Sequence, residues 1–158
     1  MRLFRLSGLL ACLAAPVHAA DPAGVLRLAE DFCTAVRASD EAAAEALMTP
    51  ALRDGIAALR LANEAFMAEN PGEKPPLGNG LRLTAYQDYP ESCTPEAVSE
   101  TGADLVYQPA GVTDGAWRDR LEVVAGPEGQ AVISDIFYAP DLTERFSDWL
   151  VVTAADGS

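Results

Sequence analysis

Two cysteines, Cys33 and Cys93, constrain the folding of this chain most, because they are the pair left once an export signal is removed from its front. Residues 1–20 carry Arg2 and Arg5, an apolar stretch from Leu6 to Ala15, and Val17-His18-Ala19, which puts small residues where a signal peptidase cuts. This predicts a signal peptide cleaved after Ala19 or Ala20 and a periplasmic or secreted mature protein. The apolar stretch is about ten residues, half of the roughly 20 that a helix needs to cross a bilayer. No membrane span is expected. Cys12 follows Leu9-Leu10-Ala11 as a lipid-attachment cysteine would, and lipid anchoring there is the alternative.

In an oxidising compartment the simplest state of two distant cysteines is a disulfide between Cys33 and Cys93. A redox-active or nucleophilic thiol would need a Cys-x-x-Cys spacing or a histidine to activate it, and neither exists. The chain's one histidine, His18, leaves with the signal. A histidine-based serine hydrolase is thereby excluded, and zinc lacks ligands. A Ser–Lys dyad or Schiff base would depend on Lys74, in a Pro- and Gly-rich loop. Asp114, Asp119 and Glu122 do not match the alternating acids and glycine of a calcium loop. No glycine-rich phosphate loop with a following lysine is present. No metal and no cofactor are expected.

Two of the 11 basic residues depart with the signal, leaving nine against 24 acids, a mature net charge of −15. Nucleic acid and anionic membrane surfaces are disfavoured partners, since both require a basic footprint. The acidity serves solubility, and would also attract a basic protein or a cationic small molecule.

About 139 residues remain after cleavage, one domain over 21–152 with a flexible tail at 153–158. Asp21-Pro22 predicts a capped helix with Val25, Leu28, Ala29, Phe32 and Val36 inward; a short helix follows from Asp40 to Met48. Thr49-Pro50 opens a third, with Leu52, Ile56, Leu59 and Phe66 on one face, ending near Asn70-Pro71-Gly72. Alternation predicts a half-buried strand over Leu81–Tyr86, a weaker one near Ala97-Val98 and another from Asp104 to Gln108.

The strongest element is a hairpin, Trp117–Ala125 with Gln130–Tyr138, closed by Gly126-Pro127-Glu128-Gly129. A symmetric four-residue loop would set Ala125 opposite Gln130 and Arg120 opposite Asp135. Trp117, Asp119, Leu121, Val123, Val132, Ser134, Ile136 and Tyr138 would then face the core, and Arg118, Arg120, Glu122, Ile133, Asp135 and Phe137 the outside. Asp135 becomes an exposed ion-pair partner of Arg120, and Ile133 with Phe137 a surface for a possible homodimer. After Pro140, Asp141 and Glu144 form a capping-box pattern before a short helix bearing Leu142, Phe146, Trp149 and Leu150.

Three N-terminal helices, a long loop, an antiparallel sheet ending in its strongest hairpin, and a short terminal helix resemble the cone-shaped nuclear transport factor 2-like superfamily. Ala131-Val132-Ile133-Ser134-Asp135-Ile136-Phe137-Tyr138 is similar to the last strand of its small exported bacterial members of unknown function. Such members often carry an acid where Ser134 stands. The resemblance implies an α+β fold, with three helices packed in a curved antiparallel sheet of four to five strands, and an apolar pocket at the open end of the cone. Members use that pocket as isomerases or dehydratases, as binding or docking modules, or in dimers, so fold alone does not choose.

On the expected register the pocket is lined by Trp117, Asp119, Leu121, Ser134, Ile136 and Tyr138. Asp119 is the one carboxylate among them. Burial beside Trp117 and Tyr138 would raise its pKa towards that of a general acid or base, whereas a place near the strand's start would let it reach water at the rim. The favoured function is a non-enzymatic exported domain that binds a small apolar ligand or a protein partner. The alternatives are an isomerase- or hydratase-type enzyme using Asp119 with Tyr138, and an immunity-type inhibitor of a basic toxin.

Overall fold

The computed structural model describes residues 20–86, 90–112 and 114–156; the expected signal up to Ala19, with Cys12, and the end of the expected tail lie outside these. Helices α1 (Pro22–Arg37), α2 (Glu41–Ala46) and α3 (Pro50–Glu69) precede strands β1 (Pro90–Ser99), β2 (Gly102–Pro109), β3 (Trp117–Ala125) and β4 (Ala131–Phe137), and α4 (Phe146–Asp156) follows. The strands form one antiparallel sheet in the order β1-β2-β3-β4, so the fold is α+β as expected. Among the described residues no helix is long and apolar enough to cross a membrane.

The helix starts follow from local chemistry. Asp21 accepts from the Ala23 amide at 3.3 Å, Asp40 from Ala43 at 2.9 Å, and the Thr49 hydroxyl from Leu52 at 3.5 Å. Pro22 and Pro50 occupy first-turn positions where a missing N–H costs nothing. Helix α1 buries Val25, Leu28, Ala29, Phe32 and Val36, and packs on β1, β2 and β4. Cys33 on α1 is bridged to Cys93 on β1 with the two Cα atoms 5.3 Å apart. This bridge is compatible with an oxidising extracellular compartment.

The segment Leu81–Tyr86 is not a strand. Leu81 and Leu83 are buried, as the alternation requires, but the Leu83 amide donates to the Leu81 carbonyl and the chain bends. Alternation reports burial here; the pairing partners are side chains from elsewhere. The first strand is instead Pro90–Ser99, of which the stretch expected near Ala97-Val98 is the end. Its prolines and acids, Pro90, Glu91, Pro95 and Glu96, obscure it in the sequence, yet suit an edge strand that must not recruit another chain. Gly102 lets β2 lie close to β3, since a Cβ there would collide with the Leu121 carbonyl oxygen.

The hairpin is one residue out of the expected register. Gly126 pairs with Gln130, leaving a three-residue loop closed by Gly129 at φ 82°, so Ala125 faces Ala131 and Val123 faces Ile133. Ser134 is then an extra residue in β4, and beyond it Glu122 faces Asp135, Leu121 faces Ile136 and Arg120 faces Phe137. The consequences overturn three expectations. Ile133 is turned into the core at 0% exposure, so it offers nothing to an outer surface. The Ser134 hydroxyl donates to Glu122 at 3.1 Å, away from the core residues it was grouped with. Asp135 does not pair with Arg120, whose carboxylate partner is Asp104 at 2.6 Å.

Asp135 is 4% exposed and fastens α4 to the sheet: one carboxylate oxygen accepts from the Ile136 and Ser147 amides, the other from the Ser147 hydroxyl at 2.6 Å. It caps α4 from a neighbouring element. Asp141, expected to do so, holds a turn through Thr143, and α4 starts at Phe146 and continues to Asp156, beyond the tail boundary expected at 153. Gly55 on α3 lies under α4, where a Cβ would sit 3.1 Å from Leu150 Cδ1. The outer edge of β4 is covered at one end by Leu47–Thr49, bonded to Ile133, and at the other by Glu144, whose carbonyl accepts from Tyr138. Asp135→Ala is expected to lower stability by about 1–2 kcal/mol, the cost of a lost cap. Urea midpoints would show this, with Asp135→Asn recovering part of the loss.

Candidate functional site

The five expected pocket residues other than Ser134 do come together, as packed core. Trp117 stacks on Tyr107 with ring centres 5.2 Å apart and meets Tyr86 edge-on at 5.3 Å. Leu121, Ile136 and Tyr138 are fully buried beside them. Asp119, also at 0% exposure, does not reach water at a rim. Its Oδ2 accepts from the Ala85 amide and its Oδ1 from the Ala139 amide, each at 2.9 Å. One carboxylate thus ties the bent 81–86 segment and the chain after β4 to the same point of β3.

Burial pushes the Asp119 carboxyl above the usual aspartate value, and the two amides oppose that shift without cancelling it. Burial likewise raises the phenols of Tyr107 and Tyr138, with the Asp119 charge adding to both; Arg82 works against the rise at Tyr138. Chemically, Asp119 and Tyr138 are the acid–base pair the sequence suggested, but their polar ends are engaged. The Tyr138 hydroxyl donates to the Arg82 carbonyl, and both Asp119 oxygens hold backbone amides. The Tyr107 hydroxyl is buried with no hydrogen-bond partner among the described residues, whereas the Trp117 indole helps the two amides to stabilise the Asp119 charge.

On the outer face, Arg118 bridges Glu96 at 2.8 Å and Asp104 at 3.1 Å, and Arg120 adds its 2.6 Å contact. The Arg120 hydrogen bond, with Arg118 behind it, holds the Asp104 carboxyl below the usual value against the opposing effect of burial. For a lowered acid the stabilisation is complete above the unfolded pKa, near 3.8, and is lost as pH falls through the folded value. Asp104→Asn is therefore expected to weaken the protein at neutral pH and to flatten its loss of stability below about pH 4, measured as urea midpoints across an acid series.

A cavity of about 150 Å³ lies elsewhere, between the end of α1, the start of α2 and the chain from Asn79 to Thr84, with Pro90 closing one side. Val36, Leu81, Leu83 and Pro90 give it apolar walls, and Ser39, Glu41, Asn79, Arg82 and Thr84 its polar ones. Its shape rests on tethers. Glu41 Oε1 accepts from the Leu81 amide at 2.8 Å, Asp119 takes the Ala85 amide, and Tyr138 holds the Arg82 carbonyl. The Arg82 guanidinium lies 4.4 Å above the Tyr138 ring and is paired with Glu144 at 3.1 Å.

None of the polar lining residues stands out in the sequence. Arg82 and Thr84 read as the solvent side of a strand, and Glu41 as a first-turn helix acid. Only the Pro- and Gly-rich run before Leu81 marks the segment as irregular. Among the described residues, no group of three or more His, Cys, Asp or Glu side chains is placed to hold a metal ion. Comparison with protein-family models, curated proteins and solved structures finds no match for this chain.

Proposed function

We propose that this is an exported, non-enzymatic binding domain whose ligand enters the cavity walled by residues 79–84, α1 and α2. The observation that carries the reading is the cavity itself, roughly the room of a small aromatic molecule, with apolar walls and a few polar groups to orient a guest. The signal-like N-terminus and the Cys33–Cys93 bridge support export. The order of helices, meander and terminal helix supports kinship with the nuclear transport factor 2-like superfamily, with the guest site displaced from the aromatic core to the segment beside it. An isomerase built on Asp119 and Tyr138 has less support, because a general base needs a free oxygen within reach of substrate, and both groups are occupied by backbone.

Titration of the purified mature protein with phenethyl alcohol, followed by backbone amide shifts, is expected to move the signals of Val36 and Leu81–Thr84. Val36→Phe fills the cavity from its apolar wall and should abolish those shifts while leaving the fold intact. Shifts centred on Trp117 and Asp119 would instead favour the core site, and no shifts at all would remove the binding reading.

A further inference from the structure

Resting on that reading, we infer that the cavity selects a small organic cation, an amine with an apolar body, and that Glu41 is the residue that recognises its charge. Two charged side chains among the described residues line the cavity, Glu41 and Arg82. The guanidinium of Arg82 is already committed three ways: to Glu144 at 3.1 Å, to the Ala85 carbonyl at 3.4 Å and to the face of Tyr138. An anionic ligand would have to displace Glu144, whose backbone is itself bonded to Tyr138.

Glu41 is differently placed. Its Oε1 holds the Leu81 amide, while no hydrogen bond among the described residues reaches Oε2. The cation nearest Oε2 is Arg60, 3.8 Å away, and Arg60 is bound more closely to Glu45 at 2.7 Å. Both carboxylates share that one guanidinium. The chain also reserves the space this carboxylate occupies: Gly80, at φ 135°, is where a Cβ would collide with Glu41 Oε1. The side chain of Glu41 is 38% exposed, open enough to meet a ligand and enclosed enough for a charged hydrogen bond to count.

Charge summed over a wider shell agrees. Glu41, Glu45 and Glu144 face Arg60 and Arg82, leaving an excess of one negative charge around the cavity, inside a mature chain of net charge −15. That field draws cations in and repels carboxylates. Val36, Leu81, Leu83 and Pro90 would enclose the apolar body of the amine, and its ammonium would donate to Glu41 Oε2.

The test compares phenethylamine, phenethyl alcohol and phenylpropionate by calorimetry and amide shifts. The amine is expected to bind about tenfold more tightly than the alcohol, to weaken as salt is raised, and to lose its advantage in Glu41→Gln. That variant keeps an oxygen for the Leu81 amide and with it the tether that shapes the cavity. Arg60→Met removes the competing guanidinium and should tighten amine binding. If the amine binds no better than the alcohol, if phenylpropionate binds best, or if Glu41→Gln leaves the amine's advantage intact, the cation inference falls while the cavity reading stands. If no probe moves the cavity signals, both fall.

Discussion

Replacing Cys33 and Cys93 together by alanine is expected to lower the stability of the folded domain by about 4 kcal/mol, the chain-entropy value for a loop of about 60 residues. The bridge spans 60 positions and joins α1 to the edge strand β1, so reduction releases the unfolded chain from a long-range constraint. Against a typical total of roughly 5–15 kcal/mol, the loss should leave the domain barely folded at body temperature. Alanine is the suitable replacement because Cys33 is buried, and serine would add an unpaired hydroxyl. Urea unfolding of the double variant and of the reduced wild-type protein should give the same midpoint. A shift below about 1 kcal/mol would mean that packing of α1 on the sheet already imposes the constraint.

Asp119→Ala is expected to cost a comparable amount, about 4 kcal/mol, because the Ala85 and Ala139 amides would both lose their acceptor in the interior. Asp119→Asn keeps one acceptor and turns an N–H group towards the other amide, for a loss of about 3 kcal/mol. The cavity wall should respond as well, since the Ala85 tether lies next to Arg82–Thr84 within it: amide exchange over 81–86 should quicken even where the variant remains folded. The pH dependence separates this role from that of Asp104. The folded pKa of Asp119 is raised, so its share of stability is fully present below the unfolded value near 3.8 and is lost as pH rises through the folded value. The penalty of Asp119→Asn should therefore be larger at pH 4 than at pH 7, measured by urea midpoints at both. An equal penalty at the two values would show that burial does not dominate this carboxyl.

Much of the fold is legible in the residues. Asp21-Pro22 and Thr49-Pro50 mark helix starts that the structure places where they predict, because a cap and a first-turn proline act within one turn. Cys33 and Cys93, the two cysteines outside the expected signal, leave one possible pairing, and that bridge is present. The hairpin is legible as an element but not in register. Whether its loop has three residues or four depends on Gly129 adopting a positive φ, and the extra residue at Ser134 on how β4 meets Leu47–Thr49. A one-residue slip moves side chains across the sheet until the extra residue at Ser134 restores the facing, so the turn sends Ile133 inward while Ile136 and Tyr138 keep the side expected of them.

What the sequence by itself determined is therefore whatever short-range chemistry and counting can decide: the helix boundaries at their capped ends, the bridge and the acidic charge. Only the tertiary structure decided that Leu81–Tyr86 is a tethered segment, that Asp119 serves two backbone amides, and that Glu41 and Arg82 meet across a cavity. Those residues are 56, 34 and 40 positions from some of the groups that fix them. Contacts at such separations depend on how whole elements pack, and no local pattern of hydrophobic spacing encodes them.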